Sequence, residues 1–100
     1  MLALKMPQTL NQKLQKYFEL TSKALEKVKI QAALSPKAKK SAEDFLDLSQ
    51  RYFNDAKYFE KKGDLLNAYG AVVYSHAFLD AGARLGFFDV GKDNKLFMVD

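Results

Sequence analysis

The sequence contains no cysteine and no tryptophan, and it has a single histidine, His76. The absence of cysteine excludes disulfides, thiolate nucleophiles and zinc sites built on thiolates. With one histidine, a metal site would need carboxylates or a second chain to complete it. We therefore predict no bound metal and no cofactor.

Glycine and long uncharged runs are also scarce. The five glycines are dispersed, and none belongs to a GxGxxG or P-loop motif. The longest run without a charged residue, residues 65–79, contains Asn67 and His76 and is shorter than the roughly 18 apolar residues of a membrane-spanning helix. The opening "MLALKMPQTL" lacks the apolar region and cleavage site of a signal peptide. The expected location is cytoplasmic.

The residues that are present have the composition of a globular domain. Hydrophobic residues make up 48% and charged residues 28% of the 100-residue chain, which predicts one domain over residues 1–100. The net charge of +4 is uneven, because residues 1–40 hold nine lysines against two glutamates. Residues 41–100 carry a net −3. Such asymmetry can mark a partner-binding face.

Apolar residues recur at steps of three and four over three stretches, which predict helices at about 9–34, 37–62 and 64–85. Because the connections are only a few residues long, successive helices must run antiparallel. The predicted fold is all-α, an up-down-up three-helix bundle. A short extended C-terminal tail, residues 87–100, follows, with Leu96–Val99 as its extended apolar run.

Residues at the two breaks support these limits. Ser35 is a good N-cap and Pro36 suits the first position of a helix. Gly63 suits the left-handed residue after a helix, and Asp64 can cap the helix that follows. Gly86 is the predicted stop of the third helix.

The third helix is apolar on nearly all sides. One stripe comprises Leu65, Tyr69, Val72, His76, Leu79 and Ala83, and the opposite one comprises Ala71, Tyr74, Phe78, Ala81 and Leu85. A helix of this kind is covered on more than one side. The tail, with Phe87 and Phe88, or a second copy of the protein would provide the cover.

The polar residues of this helix form the first candidate site. His76, Asp80 and Arg84 follow at steps of four, with Tyr69 on the same edge, so that Asp80 lies within reach of both neighbours. A carboxylate between an imidazole and a guanidinium could serve acid–base chemistry or bind a small ligand. The alternative is a structural polar edge where a buried helix reaches water.

A lysine face on the first helix is the second candidate. It comprises Lys13, Lys16, Lys23 and Lys27. Lysines at this spacing could contact the phosphates of a nucleic acid or another polyanion. The alternative is a solvated charged face, since no aromatic residues alternate with these lysines and the chain has only two arginines.

The segment "KKGDLLNAYGAVVYSHAFLDAGARLGFFDV" resembles the archaeal domain-of-unknown-function family 357 (DUF357). The matching positions are Gly63-Asp64, Asn67-Ala68, Leu79, Asp80, Ala81, Gly82, Arg84, Leu85, Gly86 and Phe88. The resemblance implies a small cytosolic three-helix domain with no assigned activity. No motif position falls on His76, which argues against a catalytic role for it.

These observations together favour a non-enzymatic module for protein–protein interaction or self-association. The contact surface would be the edge around Asp80 and Arg84, or the apolar face that the third helix shares with the tail. Two alternatives stay open: a polyanion binder that uses the lysine face, and a small-ligand or acid–base pocket at His76, Asp80 and Arg84. We predict a protein partner or a homodimer, and no membrane association.

Overall fold

The computed structural model describes residues 9–91, 93 and 95–97, which form three helices and two short strands. In chain order these are α1 (Leu10–Lys27), β1 (Lys29–Ile30), α2 (Pro36–Lys61), α3 (Leu65–Arg84) and β2 (Phe88–Asp89). Helix α3 packs extensively along α2 and less extensively along α1. The predicted all-α three-helix bundle is confirmed.

The helices begin at the residues that the caps indicate. The side chain of Ser35 accepts a hydrogen bond from the N–H of Ala38 at 3.2 Å, and Pro36 is the first residue of α2. Asp64 accepts from the N–H of Asn67 at 3.2 Å and caps α3. Both bonds satisfy N–H groups that a helix leaves without internal partners.

Helices α2 and α3 both end just before a glycine. Gly63 and Gly86 have φ angles of 78° and 80°, which are strained for residues with a side chain. The residue after Gly63 donates its N–H to Phe59 O at 2.9 Å, and the residue after Gly86 donates to Gly82 O at 2.8 Å. These are Schellman ends, in which a left-handed residue turns the chain away from the helix.

The first helix ends earlier than predicted. It stops at Lys27 and does not continue to residue 34, because Val28 is extended and β1 pairs antiparallel with β2. The N–H of Gln31 donates to Phe87 O at 2.9 Å and extends this contact. Val28, Ile30 and Leu34 are half-buried against the core from a non-helical chain, whereas Ala32 and Ala33 are exposed in a turn. The helical spacing of these residues was therefore misleading.

The tail prediction is correct only in part. Phe88 lies in the extended strand β2, and the chain then turns at Gly91, whose φ is 62°. Leu96 lies in a turn and Phe97 in a bend, so the predicted extended run is wrong there; residues 98–100 lie outside the described part. Phe97 is 1% exposed, which shows that the tail returns to the bundle.

A layer of polar side chains separates two apolar clusters in the core. The first cluster comprises Leu14, Phe53, Ala56, Ala68, Ala71 and Val72, and the second comprises Ala24, Ala42, Leu79, Phe88, Val90 and Phe97. Between them lie Ser49 and Ser75, each of which donates its hydroxyl to the other's main-chain oxygen, at 2.8 and 2.7 Å. Thr21 and His76 complete the layer. Because these bonds require matched heights, they fix how far each helix slides along the next.

Candidate functional site

His76 has partners for both ring nitrogens and is 7% exposed. Its Nε2 lies 2.7 Å from the main-chain oxygen of Leu96, and its Nδ1 lies 3.0 Å from Thr21 Oγ1. Since a carbonyl oxygen only accepts, we assign the proton to Nε2; in the neutral ring Nδ1 then accepts from the Thr21 hydroxyl. His76 thus joins α3 to α1 and to the tail.

Asp93 fixes the part of the tail that reaches His76. Its Oδ1 accepts from the main-chain N–H groups of Lys95 and Leu96, both at 3.0 Å. Its Oδ2 lies 2.6 Å from Lys27 Nζ at the end of α1. The hydrogen bond from Lys27, followed by that from the N–H of Leu96, lowers the pKa of Asp93 from 3.8 to about 2. These bonds place the Leu96 carbonyl over His76.

The lowered pKa of Asp93 makes the tail contact sensitive to acid. Because the folded-state pKa lies below the usual one, the stabilisation by Asp93 is complete above about pH 4 and is lost as the pH falls to about 2. An NMR titration should give a carboxyl midpoint of about 2 for Asp93. Lys27→Met should raise that midpoint towards 3.8, whereas Lys23→Met should leave it unchanged. A midpoint near 3.8 in the unmodified chain would contradict the assigned contact.

The structure brings Asp80 beside His76 and places the other candidate residues elsewhere. Asp80 Oδ1 lies 3.5 Å from His76 Nε2, a contact that is an ion pair only when the imidazole is protonated. Tyr69 lies two turns earlier and packs edge-on against Tyr17, with ring centroids 5.6 Å apart. Arg84 is exposed one turn after Asp80. The four residues therefore do not converge on one cavity.

A shallow open hollow of about 190 Å³ borders His76 and Asp80. Its walls are Tyr17, Leu20, His76, Asp80, Lys95, Leu96 and Phe97. Pockets for small organic ligands usually measure at least roughly 300 Å³. Because the hollow is small and both imidazole nitrogens are already bonded, the contacts favour a structural role for His76.

The lysine face of α1 is exposed but partly neutralised. Its members Lys13, Lys16, Lys23 and Lys27 all lie at the surface. Lys23 Nζ lies 3.0 Å from Glu19 Oε1, and Lys27 is bonded to Asp93. Two of the four lysines thus already contact carboxylates, which reduces the positive charge available to a polyanion.

The side of α3 that points away from the bundle is apolar and exposed. We call it the outward face, and it comprises Leu66, Gly70, Tyr74, Ala77, Ala81 and Leu85. Leu66, Tyr74 and Leu85 are 73%, 60% and 61% exposed. The sequence carried a signal for this face, a series of uncharged residues at steps of four and three, but the exposure of the face depends on where the other elements pack.

Within the described residues α3 is covered on more than one side, as expected, because both α1 and α2 pack along it. Its outward face, however, is exposed in the single chain. Helix α2 covers Ala71, which is buried, and half-buries Phe78, whose ring stacks on Tyr52 at 5.9 Å. The tail covers a different side of α3, around Leu79 and His76. Helix α2 reaches the edge of the outward face, where Tyr52 stacks on Tyr74. The described residues of α2 and of the tail nevertheless leave Leu66, Tyr74 and Leu85 mostly exposed.

Comparison with models of known protein families shows which family the chain belongs to. The model of the family described as "Protein of unknown function (DUF357)" matches residues 16–88. The chain belongs to the DUF357 family. No curated protein and no solved structure matches it. The matched span runs from within α1 to Phe88 in β2.

The motif residues at the end of α3 have structural roles in this DUF357 domain. A Cβ at Gly82 would overlap the ring of Phe88, so this glycine makes room for the aromatic side chain. Gly86 provides the left-handed turn that brings Phe88 back, and Leu79 is fully buried beneath it. At the start of α3, Asn67 Nδ2 donates to Asp64 Oδ2 at 2.7 Å and supports the cap.

The described residues also bear on membrane and metal binding. Within residues 9–91, 93 and 95–97, no helix of the DUF357 domain combines the length and hydropathy needed to cross a membrane. Across the same residues, no group of three or more histidine and acidic side chains is placed to hold a metal ion.

Proposed function

We propose that this DUF357 domain is a non-enzymatic protein–protein interaction module whose contact surface is the outward face of α3. The observation that supports the proposal most is the exposure of Leu66, Tyr74 and Leu85 on a helix side with only small uncharged residues between them. Helices at the surface of a monomer normally turn charged or polar residues outwards. Contiguous exposed apolar surface is typical of binding sites.

The aromatic residue at the centre of this face is held in place by its neighbours. The ring of Tyr74 stacks on Tyr52 of α2, with centroids 5.4 Å apart and planes 26° apart. Phe78 stacks on the same tyrosine and meets Phe45 edge-on at 5.6 Å. A tyrosine positioned in advance loses little conformational freedom on binding, which is why such residues often dominate interfaces.

The surroundings of the face also fit a protein contact. Leu48 of α2 is 36% exposed and lies on the same side as Tyr52. Arg51 and Asp47, whose Nε and Oδ2 lie 2.9 Å apart, are exposed and directly precede Tyr52 and Leu48 in the sequence of α2. An apolar centre bordered by exposed charges is the usual arrangement of a protein–protein interface.

A photo-crosslinking experiment tests the proposal. A benzoylphenylalanine residue at position 77 should form adducts with a protein, whether another copy or a different chain, in cells that express the domain. The same residue at position 33 should not, because Ala33 is also exposed but lies in the loop before α2 and is not part of the outward face. Adding Ala81→Glu should abolish the adducts from position 77. Equal adducts from both positions, or none from position 77, would contradict the proposal.

The substitutions used in this test should leave the fold intact. Ala77 and Ala81 are exposed, so benzoylphenylalanine at position 77 and Ala81→Glu should change the free energy of unfolding of the single chain by no more than about 0.5 kcal/mol each. A loss of adducts then reports on the surface and not on unfolding. Urea denaturation of the purified variants checks this.

A further inference from the structure

We infer that the partner of the outward face is a second copy of this chain, packed antiparallel through α3 about a two-fold axis. This inference depends on the proposed function and specifies its partner. It is carried by the spacing, the side-chain sizes and the end charges of α3.

The spacing of the six positions of the outward face is symmetric. Residues 66, 70, 74, 77, 81 and 85 are separated by steps of four, four, three, four and four, which read the same from either end. In a two-fold interface, if residue i contacts j, then j contacts i. An axis that passes between Tyr74 and Ala77 meets this condition for every position of the outward face: it pairs Leu66 with position 85 of the second copy and Gly70 with position 81.

The side chains that this rotation brings together are complementary in size. Tyr74 of one copy lies beside Ala77 of the other, so the largest side chain meets a small one. Gly70 and Ala81 face each other and allow the two helices to approach closely. A Cβ at Gly70 would have no atom within 4 Å, so packing within the single chain does not require glycine there. Leu66 and Leu85 meet at each end.

Charge favours the antiparallel direction. The sequence between residues 65 and 79 has no charged residue, so the centre of the contact contains no like-charge pair. Asp64 stands at the start of α3 and Arg84 at its end. Antiparallel packing brings each carboxylate towards the guanidinium of the other copy, whereas parallel packing would bring like charges together. The helix dipoles also oppose each other in this arrangement.

Cysteine crosslinking tests the inference cleanly because the chain has no cysteine of its own. Ala77→Cys lies next to the axis and should form a disulfide-linked dimer on mild oxidation. Leu66→Cys alone should not, since the two copies of residue 66 are about 28 Å apart along the helices. A mixture of Leu66→Cys and Leu85→Cys should form a mixed disulfide.

Charge variants provide a second readout on the full chain. Ala77→Glu places two carboxylates near the axis and should weaken self-association at least about 100-fold. Ala77→Lys should do the same. An equimolar mixture of the two variants should recover a heterodimer, because opposite charges then meet at the axis.

The outcomes separate this inference from the proposed function. Disulfide formation by Leu66→Cys alone would overturn the antiparallel arrangement. If the purified chain gives no disulfide at any position while benzoylphenylalanine at position 77 still captures a different protein, the second copy is excluded and the interaction module stands. If neither experiment gives a product, both fail.

Discussion

Gly82→Ala is expected to lower the free energy of unfolding by about 2 kcal/mol, although alanine favours helices by about 1 kcal/mol over glycine. The added Cβ would lie 2.6 Å from Cδ2 and 2.9 Å from Cζ of Phe88. Phe88 is 2% exposed, and its ring is confined by the turn at Gly86 and by the pairing of β2 with Ile30. The ring therefore cannot move without disturbing the strand pair. Urea denaturation measures the effect.

The matched control is Gly70→Ala in the same helix. No atom lies within 4 Å of the added Cβ, so the substitution should stabilise the chain by about 0.5–1 kcal/mol through helix propensity. Both substitutions should be measured in the Ala77→Glu background, where association does not contribute. Equal effects of the two substitutions would show that Phe88 does not occupy the space beside Gly82.

His76→Ala is expected to cost about 2–3 kcal/mol and to release the tail. The substitution leaves a cavity, and it removes the imidazole to which both Thr21 Oγ1 and the Leu96 carbonyl are hydrogen-bonded. Hydrogen exchange at the amides of Lys95 and Leu96 should accelerate, because their bonds to Asp93 depend on a closed tail. If exchange at these two amides does not accelerate in His76→Ala, the bridging role of His76 is excluded.

Two conservative substitutions separate the contacts of His76. His76→Gln places an amide near the position of Nε2 and can still donate to Leu96 O, so the tail should stay closed. His76→Asn places its amide near Nδ1 and can keep the contact with Thr21 only. If both variants protect the tail equally, the Leu96 contact does not hold it.

The helix limits that depend on local chemistry could be predicted from the sequence. Ser35, Gly63, Asp64 and Gly86 act through hydrogen bonds to residues a few positions away, and such bonds are legible in the chain itself. The end of α1 could not be predicted in this way. It depends on Val28 leaving the helix so that β1 can pair with β2, a contact between segments about sixty residues apart in the chain.

For the candidate site, the sequence could predict contacts within α3 but not contacts with other segments. The spacing of His76 and Asp80 indicated that they would meet, and they do, at 3.5 Å. The spacing could not indicate that the Leu96 carbonyl would accept a hydrogen bond from Nε2, because that contact depends on the return of the tail to the bundle. The exposure of Tyr74 was missed for a related reason: hydrophobic character predicts burial, and the position of α2 and the tail decides which apolar side stays open.

Sedimentation equilibrium of the unmodified chain, beside the Ala77→Glu/Ala81→Glu variant, tests the self-association of the outward face most directly. The unmodified chain should show a concentration-dependent dimer at micromolar concentrations, and the variant should remain a folded monomer. A monomer up to several hundred micromolar, or a dimer that the two glutamates leave unchanged, would contradict the contact through the outward face of α3.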